Sequence, residues 1–175
     1  MSAQVPAGQA LARSQQEYDA AATQRLQPLV DRLDLASFEA IWLLHQAADA
    51  ARRRVEDTVL AGYDLTWSQF EVLWHLWIFE QDEPRHISRA IGIPKSSLTV
   101  MTTSLVQRGL VRRDASPSDG RLVRLRITHP GAALMTRLFP DFNGVETQLT
   151  RGLTQRQKGT LASLLRAVIA AETPG

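Results

Sequence analysis

The run LVRRDASPSDGRLVRLRIT, Leu110 to Thr128, constrains this chain more than any other. Two strand-like pieces, LVRRDA and LVRLRIT, flank the polar segment SPSDG. In the second piece Val123, Leu125 and Ile127 alternate with Leu122, Arg124 and Arg126, the period of a half-buried strand. Pro117, Asp119 and Gly120 predict a hairpin whose loop is longer than a two-residue turn. The hairpin carries Arg112, Arg113, Arg124 and Arg126 along its strands and Arg121 at its tip.

The charge pattern extends that observation. Between Pro84 and Gly131 there are nine basic residues against only Asp114 and Asp119, a local balance of +7 in a chain whose total is +2. The remainder is therefore acidic overall, at −5. A basic middle between acidic outer parts suggests a polyanion-binding module set in a different scaffold. The chain has no cysteine, which excludes disulfides, zinc-thiolate sites and thiol redox chemistry. Neither a signal-peptide h-region nor a run long enough to span a membrane is present, so a soluble, cytoplasmic protein without membrane partners is expected.

Helical periodicity surrounds the hairpin. Residues 1–36 are expected to form an N-terminal extension, disordered to about residue 10 and then helical from Leu11 to about Val30. Ser14 and Glu17 have capping-box spacing there, and Pro28 ends or kinks the helix near Gln27. A second helix is predicted from Ser37 to about Leu60, with Phe38, Ile41, Trp42, His45, Ala48, Val55 and Val59 as one buried stripe closed by Gly62. Thr66 and Gln69 form a capping box ahead of Phe70, Leu73, Trp74 and Trp77, a core-facing helix. Pro84 and Gly92 bound a short helix.

In the next helix, ended by Gly109, Leu98, Met101 and Leu105 share one face with Thr102 beside them. Ser96, Thr99, Val100, Thr103 and Gln107 share the other. After the hairpin come a helix from about Pro130 to Arg151, irregular at Pro140, and a last one opened by a Thr154/Gln157 capping box. The last carries a stripe of Leu161, Leu164, Leu165, Val168 and Ile169.

Three helices followed by a basic two-stranded hairpin is the order of a winged helix-turn-helix. A duplex major groove admits one helix, whose exposed face must offer small hydrogen-bonding groups to base edges. The stretch ISRAIGIPKSSLTVMTTSLVQRGLVRRDASPSDGRLVRLRITHPG resembles the DNA-binding core of the MarR family of bacterial transcription regulators. The resemblance rests on the Ala-x-Gly helix end, the Ser/Thr-rich helix running into RGLVRR, the Asp-x-Arg loop of Asp119 and Arg121, and the exit LRITHPG with Thr128 and Gly131. It extends over roughly residues 37–172.

The resemblance implies a mainly α fold with a small β wing. Residues 61–129 would form the winged helix-turn-helix DNA-binding domain, and residues 37–60 and 130–172 the dimerisation helices. The amphipathic helices at both ends agree, since a small winged domain cannot cover them and a second copy can. It further implies a homodimer on a pseudo-palindromic operator in double-stranded DNA, acting as a repressor that answers to a small aromatic or phenolic effector, with no resident cofactor. The expected recognition-helix contacts are Lys95, Ser96, Ser97, Thr99, Val100, Thr103 and Gln107. The expected wing and phosphate contacts are Arg112, Arg113, Asp119, Arg121, Arg124 and Arg126, with Asp119 orienting Arg121 into the minor groove.

Two positions depart from the family. Val100 stands where many relatives have an arginine, which removes bidentate guanine readout from that position. Ser116 stands where the wing usually has an acid.

Trp42, His45, Trp74 and His75 are the candidate lining of an effector pocket, since such sites combine apolar walls with few polar groups. Arg52 to Arg54 either cap a carboxylate or pair with Glu56 and Asp57. His45, His75, His86 and His129 lack metal-ligand spacing, and no nucleophile–base arrangement or Gly-rich phosphate loop appears, so neither a metal site nor an enzyme is expected. The alternative from another class is a winged-helix protein-interaction module without specific DNA binding, against which the arginine-bearing hairpin argues.

Overall fold

The structure is a computed structural model that describes residues 15–115 and 123–171. Ser14 of the first capping box and Ser116, Asp119 and Arg121 of the hairpin loop lie outside the described residues. The chain divides into two compact units, Met1–Ala47 and Ala48–Gly175, with the division inside one helix.

In the first unit α1 spans Gln15–Leu26, and a 3₁₀ turn over Gln27–Arg32 contains Pro28. Proline has no N–H to continue the ladder, and the helix stops where the sequence predicts. The long helix α2 spans Leu35–Thr58. It begins two residues before Ser37 because Asp34 serves as its cap. The Asp34 carboxylate accepts the Ser37 amide at 3.0 Å and the Ser37 hydroxyl at 2.6 Å, and these bonds, the hydroxyl's foremost, hold its pKa below the ordinary value.

The expected buried stripe of α2 needs correction. Phe38 and Ile41 are 44% and 42% exposed, His45 and Ala48 are exposed and Trp42 is half-buried. The hydrophobic core begins only at Val55 and Val59. Periodicity places apolar side chains on one face of a helix, but it does not supply the surface that covers them.

The second unit opens with the end of α2 and a 3₁₀ turn over Leu60–Tyr63. Gly62, expected to close α2, instead lies inside this turn, α2 having ended at Thr58, and Asp64, at φ 52°, closes the turn in the left-handed region. A short polar side chain tolerates that conformation better than most. Helix α3, Trp67–Phe79, carries the predicted capping box in full, with Thr66 accepting the Gln69 amide and the Gln69 side chain accepting the Thr66 amide. It buries Phe70 and Leu73 as expected, and also Val72, His75 and Leu76, while Trp74 and Trp77 are half-buried.

After α3 the chain forms a two-residue strand, β1 (Gln81–Asp82), then α4 (Pro84–Ala90), α5 (Lys95–Gln107), β2 (Val111–Ala115) and β3 (Val123–Ile127). The predicted hairpin pairs antiparallel in the register Arg113↔Leu125. The sheet has three strands in the order β1-β3-β2, with Asp82 opposite Leu125. Helix α6 spans His129–Leu149 with Pro140 inside it, and α7 spans Gln155–Ala171 behind the reciprocal Thr154/Gln157 cap.

The core of this unit gathers Leu60, Leu73, Leu76, Ile87, Leu98, Leu105, Leu125, Met135 and Leu138. A stack of rings joins α3 to α6: Phe70 and Phe142 lie 4.6 Å apart and Trp74 and Phe139 5.0 Å apart, both near parallel. No side chain of α7 is buried, and Leu164 in its stripe is 61% exposed.

Candidate nucleic-acid interface

Helix α5 divides as its sequence predicts. Leu98, Thr102 and Leu105 are buried with Met101 half-buried beside them. Lys95, Ser96, Thr99, Val100, Thr103 and Gln107 are exposed, Val100 by 72%, and Ser97 is half-buried. Two hydroxyls on the outer face are already committed. Thr99 donates to the Lys95 carbonyl at 2.9 Å, and Thr103 donates to the Thr99 carbonyl at 2.8 Å. Each spends its only proton on the helix itself and presents lone pairs outward.

Three contacts seat the helix. The Gln69 amide of α3 donates to the Ser104 hydroxyl at 3.2 Å. Arg108, just past the helix, donates to the carbonyls of Asp64 and Tyr63 at 2.5 and 2.8 Å, so its charge ties α5 to the 3₁₀ turn. Gly109, at φ 69°, then turns the chain into β2. Thr128 closes the joint, donating its hydroxyl to the Gly109 carbonyl at 2.6 Å and its amide to the Leu110 carbonyl at 3.1 Å, while accepting the Gly131 amide.

Pleating divides the strand arginines. Residues directly opposite in an antiparallel pair share a face. The register places Arg112, Asp114, Arg124 and Arg126 on one face, and Arg113 on the other with Leu125. On the first face Asp114 bridges Arg112 at 3.1 Å and Arg126 at 3.2 Å. Arg126 also donates to the Gln81 side chain and is half-buried, so it locks β1, β2 and β3 together. Arg113 donates to the Thr103 hydroxyl of α5 at 3.0 Å.

One cluster was not read from the sequence. Asp82 of β1 accepts His75 Nε2 of α3 and His86 Nδ1 of α4, each at 2.9 Å, and the Glu83 amide at 2.7 Å. Burial pushes the Asp82 carboxyl up, but the bonds from His75, His86 and Glu83 outweigh it and leave the pKa below the ordinary value. The residues lie within twelve positions of one another, but on three different elements, α3, β1 and α4, and the two-residue strand that carries Asp82 has no periodicity to mark it.

The other expected residues fall as follows. Trp42 stacks on Phe38 in the first unit with centroids 6.2 Å apart, and His45 is exposed there. Trp74 belongs to the ring stack of the second unit, and buried His75 is held by Asp82. Arg52 pairs with Glu56 at 3.6 Å and lies over the Trp67 ring at 5.9 Å, which favours the salt-bridged reading of that basic run. Among the described residues no helix is long and apolar enough to cross a membrane, and no three acidic or histidine side chains are grouped to hold a metal ion.

A helix seated on two others and followed by an antiparallel ribbon defines a winged helix-turn-helix protein. A family model, MarR, matches residues 65–123. The uncharacterized HTH-type transcriptional regulator YwaE of Bacillus subtilis is 30% identical over 153 residues, spanning 87% of this chain and 89% of its own. The multiple antibiotic resistance protein MarR of Escherichia coli is 28% identical over 128 residues, covering 73% and 88% of the two chains. A crystal structure of a mutant of the E. coli protein with operator DNA superposes with a TM-score of 0.66 at 28% identity, covering 72% of this chain and 90% of that one. The chain belongs to the MarR family and is a transcriptional regulator.

Proposed function

We propose that the protein is a homodimeric repressor that binds a pseudo-palindromic operator, with α5 in the major groove and the wing against the adjacent backbone and minor groove. The observation that carries this reading is the pairing of an exposed Ser/Thr/Val face on α5 with an arginine-bearing ribbon beside it. The E. coli relative has been crystallised with operator DNA, which supports DNA as the partner of this fold. Dimerisation is supported by the exposed apolar residues of α7 and of the first half of α2, which the single chain leaves in water.

A gel-shift titration at rising salt tests the reading. Phosphate contacts release counterions, so affinity should fall steeply between about 50 and 200 mM salt. Arg121→Ala should weaken operator binding about tenfold or more while the dimer persists, because a narrow minor groove attracts an inserted arginine. A shallow salt slope with unchanged Arg121→Ala affinity would point instead to a protein-docking module. The effector is taken to be a small aromatic acid; a thermal-shift screen with phenolic acids checks this, since a ligand of the folded state raises its stability.

A further inference from the structure

We infer that Arg113, seated on Thr103, is the residue that reads a guanine for this protein, and that the two act as one specificity-determining unit. The inference rests on the DNA-binding reading above and deepens it. Helix α5, KSSLTVMTTSLVQ, contains no arginine, and its single cation, Lys95, stands at its first position. Its exposed centre is Val100, an apolar group that reads a thymine methyl and no purine edge. Bidentate recognition of guanine O6 and N7 needs a forked donor, and on this face the helix has none.

The sheet supplies one. Arg113 sits on the side of the pleat shared with Leu125, whereas Arg112, Arg124 and Arg126 sit on the opposite side. Two of those three are held by Asp114, and Arg126 by Gln81 as well. Arg113 is exposed and, among the described residues, its partner is a hydroxyl, and no described carboxylate pairs with its charge.

The hydroxyl it meets is itself fixed. Thr103 gives its proton to the Thr99 carbonyl and therefore must accept from Arg113. One N–H of the fork is spent on Thr103 and four remain, enough for a bidentate pair. The tether removes rotamer freedom that a free arginine would lose on binding, so the unit is preorganised. Thr103 lies one turn beyond Val100 on the same face, which places the guanine next to the thymine whose methyl Val100 meets.

Selection of a randomised duplex library with the full-length protein, followed by titration of the selected duplex and of random duplex, tests this. Arg113→Lys keeps the charge and removes the fork. It should lower the ratio of selected to random affinity about tenfold or more. Replacing one selected guanine by 7-deazaguanine should weaken the wild type by a similar factor and leave Arg113→Lys unaffected. Thr103→Val, which keeps shape and removes the hydroxyl, should lower the ratio less, and adding it to Arg113→Lys should cost nothing further.

Equal losses on both duplexes for Arg113→Ala, or wild-type indifference to 7-deazaguanine at every guanine, would reduce Arg113 to a phosphate contact and overturn the proposal. If the wild type enriches no sequence, the DNA-binding reading itself fails. Circular dichroism of each variant separates misfolding from lost recognition; should Arg113→Lys misfold, the 7-deazaguanine titration of the wild type decides alone.

Discussion

Asp82 illustrates how much a single side chain holds here. Its carboxylate joins α3 through His75, α4 through His86 and the sheet through its own strand. Because its pKa in the fold lies below the ordinary 3.8, the ionised form contributes stability at any pH above that value. The contribution disappears as pH falls through the depressed pKa. Asp82→Asn should therefore melt at a lower temperature than the wild type near neutrality, and the gap should close in acid well below pH 3.8. A constant gap across that range, followed by differential scanning calorimetry, would show that the carboxylate's charge does not matter. His75 and His86 looked like ordinary histidines in the sequence because their common partner sits on a strand too short and polar to be recognised.

Among the elements, those with local causes were legible. The Thr66/Gln69 and Thr154/Gln157 caps and the two faces of α5 follow from neighbours within a few residues and stand as expected. In β3, by contrast, only Leu125 is buried, Val123 is exposed and Arg124 and Arg126 are half-buried, so the alternation gives the strand but not its burial. Strand β1 was not legible, since Gln81 and Asp82 are extended only because β3 lies beside them. Spacing predicts a buried stripe along all of α2, yet Phe38 and Ile41 are exposed and the core is reached only at Val55 and, just past the helix, Val59, because burial depends on a partner that spacing cannot name. The junction of α5, β2 and α6 makes a prediction at this scale. Gly131, in the first turn of α6, packs so closely on Leu110 that an added methyl would collide with the Leu110 carbonyl oxygen and the Ile127 side chain. Gly131→Ala should destabilise the fold by about 1–3 kcal/mol or more, measured by urea unfolding. It should also weaken DNA binding in the protein that remains folded, because the same carbonyl anchors Thr128 and sets the wing on α5.

At the scale of the molecule, the apolar side chains left exposed matter most. Leu161, Leu164 and Val168 of α7 lie in water in the single chain, as do Phe38 and Ile41 of α2. Leu164→Glu should shift the sedimentation equilibrium toward monomer and weaken operator binding in step, since one winged unit contacts only half of a two-fold site. A monomeric wild type would contradict the dimer directly. The strand order β1-β3-β2 bears on solution behaviour as well. The most apolar strand, β3, is paired on both sides, and the five-residue strand at the open margin is β2, with adjacent guanidiniums at Arg112 and Arg113. An open strand invites a foreign chain to add to the sheet, and like charges along it repel another copy. The arginines suited to nucleic acid would thus also guard the free protein against edge-to-edge aggregation.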